Sequence, residues 1–421
     1  MPSALSHIRV LDLSRILAGP SSTQILSDLG AEVIKIEHPL RGDDTRAWGP
    51  PFLDDPAGNG IGESAYFLAA NRGKKSVAMD IASTSGADIV RRLAVHCDVV
   101  VENFKVGGLK KYGLDYDSLR RVKSDLIYCS ITGFGQTGPR AHRPGYDLLA
   151  QAQGGLMSIT GERDDLPGGG PQKVGVAAAD LMTGMYACVS VLAALAYRER
   201  TGQGQHTDLA LLDSQVAMLA NQGMYYLVSG ESPGRSGNAH ASVVPYGTFA
   251  VADGEVVMGI GNDRQFQRFC EVAGLADVAK DDRFRHNRDR VQNRDALAAM
   301  MDPVLLTRSR AEWLDALERV GVPCGPINSI GEVFADAHVK AREMCWTQDH
   351  PFRKDLKLVA SPIRMSVTPP RPQGSPPLLG QHTAEVLDGL LGLGQSEIDN
   401  LEQNGIIFCA SPATPHHHTT A

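Results

Sequence analysis

Asp180 opens a long, almost uncharged segment, GVAAADLMTGMYACVSVLAALAYRERTG (175–202). The pattern predicts an aspartate at the N-cap of a buried helix. There backbone N–H groups and the positive end of the helix dipole keep a carboxylate ionised and fix its direction. An ionised, directed carboxylate is suited to attack on an acyl carbon. The same position also suits an aspartate that only caps a helix, so other residues must decide between the two roles.

Further polar groups fall where predicted strands end. These are Arg15 to Gly19, Asn71-Arg72-Gly73-Lys74-Lys75, Asn103-Phe104 with Lys105, Lys110 and Lys111, and Gly133 to Gly138. Open α/β sheets bind ligands at the C-terminal ends of their strands. Basic side chains with exposed backbone amides at one sheet edge favour an anionic, nucleotide-like ligand. Tyr146, in Arg143-Pro-Gly-Tyr146-Asp147, can line a pocket near Asp180 or pack as an ordinary half-buried tyrosine. Thirteen histidines show no metal-ligand spacing, so no metal site is expected. No G-x-S-x-G elbow is present, which argues against an α/β-hydrolase.

The elements that must position these residues begin with a βαβ unit. Ile8–Leu13 reads as a strand, Ser21–Leu29 as a helix stopped by Gly30, and Val33–Ile36 as a second strand. Ser76–Asp80, a helix over Gly86–His96, Asp98–Val101 and Leu126–Ile131 continue the alternation. The prediction is an α/β fold with a doubly wound, parallel, Rossmann-like sheet. Its dinucleotide fingerprint is missing: Ala18-Gly19-Pro20 follows the first strand, and Gly259-Ile260-Gly261 is followed by Arg264 where a third glycine belongs.

After the Asp180 helix, which closes with Arg198, Arg200 and Gly202, a further helix is expected around Leu209–Ala220. Tyr246–Ala252 and Glu255–Ile260 flank an Asp-Gly turn and read as a hairpin. Ser309-x-x-Glu312 and Ser329-x-x-Glu332 are capping boxes. The proline-rich stretch 345–380 reads as extended connections, and Gln381-His382-Thr383 opens a last helix. The expected division is a large domain in 1–224, a smaller α+β domain in 225–325, a return to the large domain in 326–410, and a disordered tail in 411–421.

Composition sets outer limits. The chain has 421 residues and a net charge of −7, so nothing in its overall balance attracts nucleic acid. Seven scattered cysteines without a CxxC fit a reducing, cytoplasmic setting. No signal-like or membrane-spanning run is read from the sequence.

Several segments, in this order, resemble the class III (CaiB/BaiF-type) CoA-transferases. They are RVLDLSRILAGPSSTQILSDLGAEVIKIE, NRGKKSVAMD, VVVENFKVGGLKKYGLDY, the Gly-Tyr-Asp of Tyr146–Asp147, ADLMTGMYA, RTGQGQ, GVPCGPIN and PPLLGQHT. GDDTRAWGPPF, YCSITGFGQTGP, AHASVVPYGTF and GIGNDRQFQRFC look most like the succinate–hydroxymethylglutarate branch, which moves CoA from succinyl-CoA to dicarboxylic acids such as glutarate. The resemblance implies that Asp180 is the nucleophile and carries CoA as a thioester. It implies CoA contacts from Ile16, Leu17, Ala18, His38, Met79, Asn103, Phe104 and Lys111, and an intertwined homodimer. Arg72 and Arg143 join the basic residues expected to meet CoA. Tyr146, His240, Ser242 and Arg46 are candidates for the acceptor pocket, Arg46 or Arg72 reaching its far carboxylate. CoA enters as a substrate, and no permanently bound cofactor is implied.

Departures from relatives refine this picture. Leu17 stands where oxalate-using relatives carry glutamine, and Ala239-His240-Ala241-Ser242 replaces their glycine-rich loop. His38 replaces an arginine and Ala82 a lysine. Acyl-CoA racemases of the same superfamily place a histidine before the aspartate in Gly-His-Asp. Tyr146 stands there, removing one of the two proton-transfer groups, which disfavours a 2-methylacyl-CoA racemase, the alternative reading.

Overall fold

Runs of Val, Ile and Leu bounded by turn residues make the strands of a seven-stranded sheet. In the computed structural model, which describes residues 2–54 and 61–410, these are β1 Arg9–Asp12, β2 Glu32–Glu37, β3 Lys74–Met79, β4 Val99–Glu102, β5 Ile127–Thr132, β6 His206–Ala210 and β7 Ile407–Phe408. Their order is β7-β3-β2-β1-β4-β5-β6. Six strands are parallel, and β7 adds antiparallel to β3. The parallel strands thus follow the 3-2-1-4-5-6 order, whose direction of winding reverses between β1 and β4.

Alternation along the strands loads both faces. Leu11, Ile34, Val77, Val100 and Tyr128 pack on one side with Leu93, Leu119 and Leu387. Val10, Val33, Val99, Ile127 and Cys129 pack on the other with Leu26, Ala187 and Val191. Two helices cover this second face: α1 (Ala18–Asp28) and α2 (Ala178–Thr201). The buried stripe of α2 runs Asp180, Thr183, Gly184, Ala187, Cys188, Val191, Ala194, Leu195, at the three- and four-residue steps that keep one helix face inward. Gly202, at φ 72°, ends α2 in the left-handed conformation. This helix is long and apolar enough to cross a membrane by length and composition, yet half of its apolar stretch is buried within the protein.

The described residues form two compact units. The first comprises the chain up to Leu156, Val174–Gly223 and the part from His338 onward; the second comprises Met157–Lys173 and Met224–Ala337. The second therefore also takes 157–173, and the return to the first begins at 338, twelve residues after the expected 326. It contains the expected hairpin, Tyr246–Val251 with Gly254–Gly259, extended by Cys324–Gly325 into three antiparallel strands. Phe266, Phe269, Leu297, Trp313 and Leu317 fill its core. Both predicted capping boxes are present, at Ser309 and Ser329.

Two expected elements are corrected. The helix predicted from Leu209 is preceded by β6, an edge strand whose outward residues are polar, and begins only at Leu211. Within 345–380, Cys345–His350 and Arg353–Val359 pair as an antiparallel hairpin, because the prolines cluster beyond it. The tail expected at 411–421 lies outside the described residues.

Candidate active site

The loop after β1 is built on buried ions. Asp12 accepts from Ser14 N at 2.9 Å, Thr23 Oγ1 at 2.6 Å and Lys74 Nζ at 3.1 Å. Lys35 Nζ donates to Ser14 O at 2.9 Å and to Asp43 at 2.8 Å. Asp43 in turn accepts from Ile16 N and Thr45 N. Burial alone would raise the Asp43 carboxyl, but the Lys35 ammonium and these donors hold it down at about 2. Burial pulls the Lys74 ammonium down to about 8, against the pull of Asp12. Charges of both signs, each hydrogen-bonded, can share a dry interior only in such a network.

This scaffold imposes an unusual backbone on Ile16, which sits at φ 72°. A β-branched residue is disfavoured there and stays only when its surroundings over-determine it. Asp43 supplies one restraint. Asn103, just past β4, supplies another: its Oδ1 accepts from Arg15 N at 2.9 Å and its Nδ2 donates to Arg15 O at 2.7 Å. The loops after β1 and β4 are thereby locked together at the reversal point of the sheet.

Between them opens a cleft of about 580 Å³. Its lining includes Arg15, Ile16, Leu17 and Ala18 after β1, Asn103, Phe104, Lys105 and Lys111 after β4, Thr132 at the end of β5, and Arg143 and Tyr146 beyond it. Asp180 also lines it. Gly184, one turn along α2, explains how: a Cβ there would lie 2.3 Å from Ser21 Oγ and 2.7 Å from Ala18 O. Only glycine lets α2 approach the start of α1 so closely, which sets Asp180 beside the Ile16–Ala18 loop. A second hollow of about 320 Å³ holds His38 and Met79 and shares Arg15, Phe104 and Tyr112 with the first.

The environment of Asp180 corrects the sequence reading. The N-cap is Ala177, and Asp180 is the third residue of the helix. The amides of Ala179 and Asp180 donate to Asp147 Oδ1 at 2.8 and 3.2 Å, so another carboxylate takes the capping role. Asp180 is buried, with 9% of its surface exposed, and burial followed by the Asp147 charge pushes its carboxyl up to about 7. The helix dipole does not hold it in the usual carboxylate range. Because the fold raises this pKa, the folded state binds the proton more tightly than the unfolded chain. The resulting stability is present below about pH 4 and is lost as pH rises towards 7. Asp180→Asn is therefore expected to raise the thermal midpoint at pH 8, by a stabilisation of about 2–4 kcal/mol, and to leave it unchanged near pH 3.5. Melting curves at the two pH values check this.

Two predicted arginines are corrected. Arg46 is fully buried, and its guanidinium is held by Glu37 and Glu63 over the Phe67 ring. Arg72 is buried against Asp28 and donates to Val359 O. Neither lines the cleft. His240 and Ser242 belong to the second unit. There Ser242 N donates to His240 Nδ1, and Arg294 holds the carbonyls of His240 and Ala241. With Nδ1 accepting, neutral His240 carries its proton on Nε2 and presents a donor.

Three residues were missed. Trp48 lines the cleft and packs edge-on to Tyr66, with ring centroids 5.3 Å apart. The Tyr66 phenol is raised by burial and then by the charges of Asp180 and Asp147, so it stands in their field. Asp147 was visible only as the last residue of the Gly-Tyr-Asp motif.

A buried carboxylate opening onto a cleft lined by cations is an arrangement suited to acyl transfer from an anionic carrier. The family model described as CoA-transferase family III matches residues 5–383, and the chain belongs to that family. It is a CoA-transferase. Over 383 residues it is 49% identical to a succinate–glutarate CoA-transferase of Agrobacterium fabrum, covering 91% of this chain and 94% of that protein. A succinyl-CoA:mesaconate CoA-transferase of Haloarcula hispanica is 40% identical over 403 residues, with 94% and 99% covered. The crystal structure of a CAIB/BAIF family protein from Brucella suis matches with a TM-score of 0.82 at 47% identity, over 93% of this chain and all of that one.

Proposed function

We propose that the enzyme moves CoA from succinyl-CoA to a dicarboxylic acid, with Asp180 as the covalent carrier. The observation that carries this reading is a buried carboxylate, facing the cleft, with no cationic partner among the described ion pairs. Kinship with transferases named for succinyl-CoA, glutarate and mesaconate supports the choice of donor and acceptor.

In this reading an Asp180 carboxylate oxygen attacks the thioester carbonyl. The C–S bond breaks, CoA leaves as thiolate, and a mixed aspartyl–succinyl anhydride remains. The thiolate attacks the aspartyl carbonyl, giving an aspartyl-CoA thioester and free succinate. The acceptor carboxylate then runs the same steps in reverse. Acyl activation is conserved at every stage, so no further energy source is needed.

CoA would span both hollows, its nucleotide end near His38 and Met79 and its thioester end near Asp180. Arg15, Lys105, Lys111 and Arg143 would meet phosphates by charge. Leu17, Trp48 and Tyr66 would keep water from the anhydride. Leu181, Met185, Tyr186 and Val189 leave an exposed apolar strip on α2, which suits the intertwined homodimer implied by the family. Its seven cysteines, all free thiols, suit a cytoplasmic enzyme.

The test incubates the enzyme with succinyl-CoA and a panel of dicarboxylic acids, identifying product CoA esters by mass. Glutarate or a dicarboxylate of similar length should yield a CoA ester together with succinate. Absence of any transfer across the panel, with the enzyme folded, overturns the reading. Exchange of an α-proton of 2-methylacyl-CoA with deuterated solvent would support the racemase instead.

A further inference from the structure

The start of α2 lacks a capping side chain of its own. Its first free amides are taken instead by the first residue of α3, Asp147–Gln153. The other oxygen of Asp147 accepts from Gln151 Nε2 at 2.6 Å, one turn along the same helix. Gln151 is completely buried, and its Oε1 accepts from Val174 N at 3.0 Å. One short chain, Val174 N to Gln151 to Asp147 to the amides of Ala179 and Asp180, therefore ties the segment entering α2 to its first turn.

We propose that Asp147 is a positioning residue for Asp180, aiming it from the helix start while keeping the two nearest amides from neutralising it. This rests on Asp180 being the nucleophile. Amides at a helix N-terminus ordinarily stabilise a nearby anion. Here both donate to Asp147, whose own negative charge lies beside Asp180. A carboxylate in that setting is destabilised as an anion and relieved when it becomes neutral. Attack on the thioester does that: the Asp180 oxygen gains a bond to carbon, the C–S bond breaks, and the negative charge leaves on the thiolate. The site thus favours the acylated carrier over the free carboxylate.

The charged and titratable groups around Asp180 come from several elements. Asp147 lies on α3, Tyr66 on the helix Ala65–Ala70, and Arg15, Lys111 and Arg143 on the cleft loops. The Asp147 charge acts on Asp180 in the same direction as burial.

Two variants of the full-length enzyme separate charge from geometry. Asp147→Asn keeps an oxygen for the two amides and removes the charge. Its acidic limb of kcat/KM should move at least about one pH unit lower, and kcat should fall about tenfold, with KM for succinyl-CoA within about threefold. Asp147→Glu keeps the charge but displaces the acceptor. Its limb should stay in place while kcat falls by about tenfold or more. Hydroxylamine trapping during turnover, read by peptide mass, should show less label at position 180 in Asp147→Asn than in wild type.

An unmoved limb and kcat within about twofold in Asp147→Asn would overturn the inference. Should that variant not fold, undiminished kcat in Asp147→Glu does the same. Turnover by the wild type with no label at position 180 would instead refute the nucleophile. A labelled wild type with an equally labelled Asp147→Asn would refute only the role of Asp147.

Discussion

Asp180→Ala is expected to lose CoA transfer by about four orders of magnitude or more, while its affinity for CoA stays within a few-fold. The loss is large because the cleft offers no second unpaired carboxylate to carry the acyl group. Its lining holds no cysteine and no serine, and its other carboxylate, Asp44, is held by Arg15 at 2.8 Å. A water molecule attacking the thioester in place of Asp180 would give hydrolysis and not transfer, so residual activity should appear as free acid and CoA. Affinity should persist because Arg15 and Lys105 belong to the loops after β1 and β4, whose locks involve Asp43 and Asn103 and not Asp180. Removing a buried, destabilised carboxylate should also not harm the fold. Calorimetric titration with CoA, beside a mass-resolved transfer assay, checks both halves. Transfer retained at more than about one part in a hundred would remove Asp180 from the mechanism.

The parts of this site that were legible in the sequence are those fixed by local pattern. Val-Ile-Leu runs separated by helix-length segments announced the parallel sheet, and the loops after β1 and β4 fell where such a sheet binds ligands. Gly30 and Gly202 marked helix ends because only a left-handed residue closes them as they do. What stayed hidden was set by partners distant in sequence. Arg46 looked like a free cation, but Glu37 lies nine residues away and Glu63 seventeen, and both reach it only once β2 and the paired strands Phe52–Asp54 and Ile61–Ser64 have formed. The N-cap assigned to Asp180 failed for a similar reason: the carboxylate that caps α2 comes from position 147, 32 residues before the amide it binds most closely. A helix propensity argument sees one acidic residue near a helix start and predicts an ionised group. The fold buries that residue and sets a second carboxylate beside it, and burial first, then the Asp147 charge, reverses the sign of the shift. β6 was misread because its alternation, His-Thr-Asp-Leu-Ala, is weak without the neighbouring strand that pairs with it.

Lys35→Met is expected to be the most damaging single change away from the nucleophile, costing about 3–5 kcal/mol of stability and most of the affinity for CoA. The methionine stem fills similar space, so the cost comes from the charge. Asp43 would lose its one ammonium partner among the described ion pairs, at 2.8 Å, while remaining fully buried. Asp12 would be left with Lys74 alone, at 3.1 Å. Because Asp43 also receives the Ile16 amide, the damage should reach the cleft: the left-handed turn at Ile16 would lose a restraint that holds an unfavourable backbone in place. A depressed carboxyl contributes stability above its ordinary pKa and loses it as pH falls through the folded value. The Asp43 contribution in the wild type should therefore persist at neutral pH and fade from about pH 4 down to about 2. The Lys35→Met penalty should shrink over the same window, since a protonated Asp43 needs no cation. Adding Asp43→Asn to Lys35→Met removes the orphaned charge and keeps an oxygen for Ile16 N. The double variant should regain about half of the lost stability, and denaturation midpoints for the four proteins of the cycle give that coupling directly. Equal stability of Lys35→Met and wild type at pH 7 would mean that the buried ions beneath the cleft do not hold its loops.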